Sequence, residues 1–188
     1  VFTNCRFGMM AWALIVLAAA AESAKQNNGT PTNASWLCAA LQLGYIAKFF
    51  WWEDGYMSSM DIMHDRAGYY ICWGCLVWVP SFYTISAQYW LKNGGDAASV
   101  LTCNVTWALF AVGVLFNFLN SEADRQRMFA RRTGGKALLW GTPMKLVEAQ
   151  YTTSDGQTRQ SLLLASHLWG YARHLHYVFE LLAALSWA

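Results

Sequence analysis

Four apolar runs, separated by short polar breaks, cover most of the first two thirds of the chain: Phe7–Ala24, Ala34–Trp52, Gly68–Leu91 and Ala97–Leu119. Each approaches or exceeds the ~20 residues that carry a helix across a bilayer. Pro80 lies inside the third run and predicts a kink there, which neighbouring helices can absorb. A polar segment, Ser121–Gln160, follows the fourth run. Within it, Val147–Thr153 and Gln157–Leu162 flank Ser154-Asp155-Gly156, a pattern that predicts a small β-hairpin. The chain then returns to apolar sequence over Leu162–Trp187, with Arg173, His174, His176 and Glu180 at its centre. At about 100° per residue, Trp169, Arg173, His176, Tyr177 and Glu180 fall within roughly a 100° arc. A lipid-facing surface would not tolerate that set, so this face is expected to line a polar cavity. The expected fold is all-α: a polytopic transmembrane helical bundle of about five to six membrane segments, with one small hairpin. Residues 1–188 read as a single membrane domain, 121–160 as a loop, and 161–188 as the segment that carries the polar face.

Charge gives the expected orientation. The chain has 13 Lys+Arg against 11 Asp+Glu, a net charge of +2, which does not suggest a nucleic-acid binder. Eleven tryptophans suit a chain anchored at membrane interfaces. Seven basic residues (Arg125, Arg127, Arg131, Arg132, Lys136, Lys145 and Arg159) lie in Ser121–Gln160, which the positive-inside rule assigns to the cytoplasmic side together with its hairpin. Counting back puts Glu53–Ala67 on that side and Lys25–Asn33 opposite. The chain starts at Val1 rather than Met and is read as an internal segment of a longer protein. Five cysteines are present. Cys72-Trp-Gly-Cys75 has redox C-x-x-C spacing but sits in an apolar run without a βαβ pattern, so it reads as small residues packed between helices.

Two clusters can carry chemistry. On a helix, Arg127 and Arg131 are one turn apart and share a face, a geometry that suits a phosphate and equally suits anionic lipid. The second cluster joins Phe49-Phe-Trp-Trp-Glu53-Asp54-Gly-Tyr56 to Asp61-Ile-Met-His64-Asp65-Arg66. Acidic and imidazole groups beside aromatics at a membrane boundary can supply a proton donor or simply form a solvated loop with interfacial anchors. His64 with its acidic neighbours, and His174 with His176, lack a convincing set of further ligands, so no metal is expected. No glycine-rich dinucleotide fingerprint is present, which argues against a soluble Rossmann domain.

Longer strings carry a resemblance. They include Phe2-Thr-Asn-Cys-Arg-Phe-Gly-Met-Met-Ala-Trp12, Lys48-Phe-Phe-Trp-Trp-Glu53 and His64-Asp-Arg-Ala-Gly68. They continue with Tyr70-Ile-Cys-Trp-Gly-Cys-Leu-Val-Trp-Val-Pro80, Asp124-Arg-Gln-Arg127 and Trp169-Gly-x-Ala-Arg-His-x-His-Tyr177. Together the chain resembles the sterol reductases that act on C7 or C14 double bonds, and more closely the C7 branch.

The resemblance implies a protein of about ten helices in the endoplasmic reticulum membrane. Its cofactor would be NADPH, bound from the cytoplasmic side, with a sterol substrate and membrane lipid as partners. The implied reaction is reduction of the C7–C8 double bond of Δ5,7-sterols. Arg127 and Arg131 would hold the cofactor's phosphates. Leu164, Trp169, Arg173, His176, Tyr177 and Glu180 would complete its site, and Tyr45, Glu53 and Asp61 would lie near the sterol and the proton path. Two departures from the family pattern are His167, where glycine is usual, and Phe179-Glu180 in place of Gly-Asp. A further cofactor motif is expected beyond Ala188. Three alternatives share parts of this pattern: a C14-sterol reductase, an isoprenylcysteine methyltransferase-like enzyme, and a non-catalytic sterol-binding membrane protein.

Overall fold

A computed structural model describes residues 2–57, 62, 68–94, 101–152 and 156–188. They are mostly helical, with two small antiparallel sheets. The helices are α1 (Phe2–Gln26), α2 (Asn33–Trp51), α3 (Glu53–Met57), α4 (Tyr69–Trp73), α5 (Val79–Phe82), α6 (Ile85–Asn93), α7 (Cys103–Thr133) and α8 (Leu175–Trp187). A π-helical turn, Gly74–Trp78, joins α4 to α5. Among the described residues, three helical stretches are long and apolar enough to cross a membrane: Thr3–Gln26, Tyr69–Asn93 and Cys103–Thr133. This is the pattern of a membrane protein. α2, the second run expected to span, is not among them. Its 19 residues include Gln42 and Lys48, and nine of them are buried against protein.

The described residues form two compact units, Val1–Phe116 with Leu182–Ala188, and Asn117–Leu181. In the first, α1 divides its surface cleanly. Cys5, Trp12, Val16, Ala19 and Ser23 are buried, whereas Phe7, Met10, Leu14 and Leu17 form an exposed stripe at helical spacing. The buried face packs with Leu37, Leu41 and Ile46 of α2, Ala87 of α6, and Ala183 and Trp187. One polar circuit runs through this core. Trp12 Nε1 donates to Gln42 Oε1 at 2.7 Å, and Gln42 Nε2 donates to Ser86 Oγ at 2.7 Å. The expected interruption around Pro80 takes a specific form. The Val79 N–H bonds to Gly74 O, one residue further back than in an α-helix, so the turn before the proline is π-helical. Pro80 has no N–H to continue the α-pattern.

In the second unit two expectations change. The first part of the expected 121–160 loop is helical instead, because α7 continues to Thr133. Ion pairs at i,i+3 support the extension: Glu122 with Arg125 at 2.6 Å and Asp124 with Arg127 at 3.2 Å. The helix stops at Gly134 and Gly135, whose φ of +58° and +73° suit a left-handed cap, and the Gly135 N–H bonds back to Ala130 O. Strands β1 (Leu138–Leu139) and β2 (Thr142–Pro143) pair across a two-residue turn, Trp140-Gly141, with φ of +50° and +76°. Both central residues at positive φ is the twist-compatible hairpin geometry. β3 (Leu146–Thr152) pairs with β4 (Thr158–Leu164), from Leu146 opposite Leu164 to Thr152 opposite Thr158. Residues 153–155 of the connecting turn lie outside the described residues.

The second change concerns the terminal apolar stretch, which is not one helix. Leu162–Leu164 belong to β4, His167–Gly170 form a 3₁₀ turn, and α8 starts at Leu175. The β3 ladder satisfies the backbone of Leu162–Leu164, so a helix there would forfeit those bonds. Trp169 and Arg173 therefore precede the helix, and the expected polar stripe is assembled from a turn and a helix start.

Candidate functional site

The second unit places most of the expected site residues together. On α7, Asn120, Asp124, Arg127 and Arg131 follow at intervals of four, three and four, which is the spacing of one helix face. Arg127 is half-buried, paired with Asp124, and its guanidinium lies 5.6 Å from the Trp169 ring centroid. That is within cation–π range. Arg131, one turn on, is exposed.

Two bonds fix the turn that carries Trp169. The indole Nε1 donates to Ala123 O at 2.8 Å, and the Leu168 N–H donates to Gln126 Oε1 at 3.2 Å. Gln126 is fully buried and also donates to Glu122 at 3.2 Å. Leu164 is buried with Ala130 and Leu139, and the Trp169 ring packs against that cluster.

The start of α8 completes the group. The His176 ring is 5.1 Å from Trp169 and 4.1 Å from Tyr177, between centroids. Tyr177 is exposed and stacks on His174 at 5.4 Å. Asn120 Nδ2 donates to His176 O at 3.0 Å and to Glu180 Oε2 at 3.4 Å, anchoring the first turn of α8. Arg173 is exposed in the preceding turn. Two buried side-chain atoms, His176 Nδ1 and Asn117 Oδ1, have no hydrogen-bond partner among the described residues. An unpaired polar atom in the interior is costly, and such atoms call for an explanation.

His167 now has a geometric account. Its φ is +58°, the left-handed region that favours glycine. Its ring is tied by Nε2 to Leu139 O at 2.9 Å and to Thr142 Oγ1 at 2.7 Å, and by Nδ1 to Ser166 Oγ at 2.9 Å.

Two of the three expected catalytic residues are described, and they lie on different helices. Tyr45 lies on α2 between Trp12 and Trp187, with ring centroids at 5.8 and 6.0 Å, and the Lys48 ammonium is 4.7 Å from its ring centroid. Glu53 lies on α3 in a two-point ion pair with Arg6, both bonds 2.7 Å. The hydrogen bonds from Arg6 hold the Glu53 carboxyl below the usual carboxylate range. Asp61 lies outside the described residues, as do His64 and Asp65.

Sequence reasoning missed Asn120 and Gln126. The signal was available in part, because Asn120 continues the Asp124–Arg127–Arg131 spacing backwards into an apolar run. Gln126 gave none, since its role depends on a turn more than forty positions downstream.

The whole chain, residues 1–188, matches the model of the ergosterol biosynthesis ERG4/ERG24 family. It is 47% identical over 187 residues to a 7-dehydrocholesterol reductase of Arabidopsis thaliana, covering 100% of this chain and 42% of that protein. It is 35% identical over 186 residues to a 7-dehydrocholesterol reductase of Xenopus laevis, covering 99% of this chain and 38% of that protein. A Delta(14)-sterol reductase of Methylotuvimicrobium alcaliphilum is 34% identical over 190 residues, covering 99% of this chain and 40% of that protein. The chain thus spans about two fifths of the length of these relatives. A match to the family model from first residue to last, with relatives this similar along its length, means that the chain belongs to the ERG4/ERG24 family of sterol reductases.

Proposed function

We propose that the chain is part of an endoplasmic reticulum membrane enzyme that reduces the C7–C8 double bond of Δ5,7-sterols with NADPH. The observation that carries this reading is the grouping of Arg127, Trp169 and His176 in one unit of a chain 47% identical to a plant 7-dehydrocholesterol reductase. Seven basic residues in Ser121–Gln160 support a cytoplasmic position for this unit, its hairpin included. A bundle of five to six membrane segments here, within a protein of about ten, belongs to the same proposal.

The residues present fit a nicotinamide dinucleotide. Guanidinium groups one turn apart on α7 suit its phosphates, and an indole and an imidazole offer flat surfaces to its rings. His176 Nδ1 is a buried polar atom without a hydrogen-bond partner among the described residues, as expected of a group that meets a ligand. In this reading Arg127 and Arg131 hold the phosphates, and Leu164 and Trp169 pack against the cofactor. Arg173, His176, Tyr177 and Glu180 make polar contacts with it. When bound, NADPH supplies the hydride.

The protein's own part is placement. Asn120 holds the start of α8, Gln126 holds the Trp169 turn, and Asp124 aims Arg127. Errors of about an ångström are expensive in hydride transfer. The alkene must also gain a proton, and Tyr45, Glu53 and Asp61 are the candidates to hold or relay it. Arg6 favours the carboxylate form of Glu53, so Glu53 can serve as the acid only when that pair opens.

The test uses the full-length protein in membranes, given 7-dehydrocholesterol or a Δ8,14-sterol with NADPH. Conversion of the first is expected. Turnover of the second alone would move the protein to the C14 reading, which the Delta(14)-sterol reductase relative keeps in view. Arg127→Ala is expected to weaken NADPH binding about 10–100-fold, a loss of about 1.5–3 kcal/mol. An unchanged affinity would remove Arg127 from the site.

A further inference from the structure

Cys72-Trp-Gly-Cys75 has the spacing of a redox motif, yet the short side-chain contacts of its two sulfurs run to α1. Asn4 Nδ2 donates to Cys72 Sγ at 3.1 Å, and Cys75 Sγ lies 3.4 Å from Cys5 Sγ. Consecutive residues of α1 thus meet the two motif cysteines. Cys5 and Cys75 are buried, at 1% and 7% exposure, in a small cluster with Phe49 and Ile71. The Tyr56 hydroxyl is 4.0 Å from Cys5 Sγ.

The close approach is built into the backbone. Gly8, one turn along α1 from Cys5, packs directly on the π-helical turn, and a Cβ there would overlap the Cys75 carbonyl oxygen. A side chain at position 8 would push the two sulfurs apart. Cys75 itself lies within the π-helical turn Gly74–Trp78. Two thiols 3.4 Å apart, on separate elements held at backbone contact, need little movement to reach bonding distance.

We propose that Cys5 and Cys75 are a redox pair that closes to a disulfide when the membrane meets a peroxide. One thiol, as thiolate, attacks a peroxide oxygen; the O–O bond breaks, a sulfenic acid forms, and water leaves after protonation. The second thiol then attacks the sulfenic sulfur, the S–S bond forms, the S–O bond breaks, and a second water leaves. In balance, two thiols and hydrogen peroxide give one disulfide and two waters. The cross-link ties α1 to the turn between α4 and α5, and a dithiol reductant reopens it.

The test needs no assumption about the reaction that the protein catalyses. The full-length protein in its membrane is treated with hydrogen peroxide, free thiols are alkylated, and the protein is digested without reductant for mass spectrometry. The expected product is a peptide pair joined through Cys5 and Cys75, abolished by dithiothreitol. Cys72→Ser should retain it, whereas Cys5→Ser and Cys75→Ser should lose it. Because the mapping is done on the unsubstituted protein, poor folding of a variant leaves the result readable. A bridge between Cys72 and Cys75, sulfinic or sulfonic acids without a bridge, or two thiols still alkylated separately after treatment would each overturn the proposal.

Discussion

Gln42 in the first unit and His176 in the second are both buried polar side chains on apolar helices. Gln42 is fully enclosed, and its amide is used at both ends, by Trp12 on one side and Ser86 on the other. His176 is at 9% exposure, wrapped by Trp169 and Tyr177, and its Nδ1 has no partner among the described residues. A buried group that is fully satisfied fixes a packing arrangement. One left unsatisfied costs stability that a ligand can restore. If the proposed function holds, the first unit serves as scaffold and the second as binding surface, and substitutions should separate the two.

The largest effect is expected at Gly8. Gly8→Val sets a branched side chain against the backbone of the π-helical turn. Relief requires α1 to shift, and overpacking of this kind costs about 3 kcal/mol or more where backbone is the obstacle. The amount of folded full-length protein recovered in detergent should fall severely, while the molecules that fold should bind NADPH normally. A normal yield would mean that α1 and the turn are not in backbone contact. Gln42→Leu comes next. It leaves the Trp12 N–H without its acceptor in the core and the Ser86 hydroxyl with only its longer contact to Cys38, at a cost of about 1–3 kcal/mol. Lower thermal stability with unchanged NADPH affinity is the outcome that keeps Gln42 structural.

His176→Phe reverses the pattern. It keeps an aromatic ring beside Trp169 and removes the unsatisfied nitrogen, so thermal stability should hold or rise by about 1 kcal/mol while NADPH affinity falls. A loss of stability with intact affinity would turn His176 into a core residue and collapse the contrast with Gln42.

Much of the scaffold was legible because its signals are local. Apolar runs of membrane length marked α1 and α7, and Pro80 marked the irregular turn beside it. Asp155-Gly156 between two short runs marked the β3–β4 pair to within two residues at either strand end. The spacing of Arg127 and Arg131 was readable as a shared face because both lie on one helix.

What escaped is non-local. Leu162–Leu164 look like the start of an apolar helix, and only the presence of Leu146–Glu148 as a strand partner makes them β. Periodicity within a window does not contain that partner. The Cys5–Cys75 contact and the Gln126–Leu168 bond join residues far apart in sequence.

His167 is where the contrast between the units becomes finest, because it holds a strained backbone with satisfied bonds. Its N–H and acceptor can be assigned from the partners. Leu139 O can only accept, so Nε2 carries the proton and Nδ1 accepts from the Ser166 hydroxyl, which in turn accepts from the Lys145 N–H at 3.1 Å. These bonds hold the residue at φ +58°, a conformation that costs a non-glycine residue about 1–2 kcal/mol. His167→Gly removes bonds and strain together, so stability should change by less than about 1 kcal/mol. His167→Ala removes the bonds and keeps the strain, and should cost about 2 kcal/mol. Thermal midpoints of the two variants of the full-length protein, measured side by side, give the comparison. If alanine is tolerated as well as glycine, φ at this position is not strained, and the imidazole's bonds alone hold the turn that carries Trp169. If glycine is the worse of the two, chain freedom at the turn matters more than either.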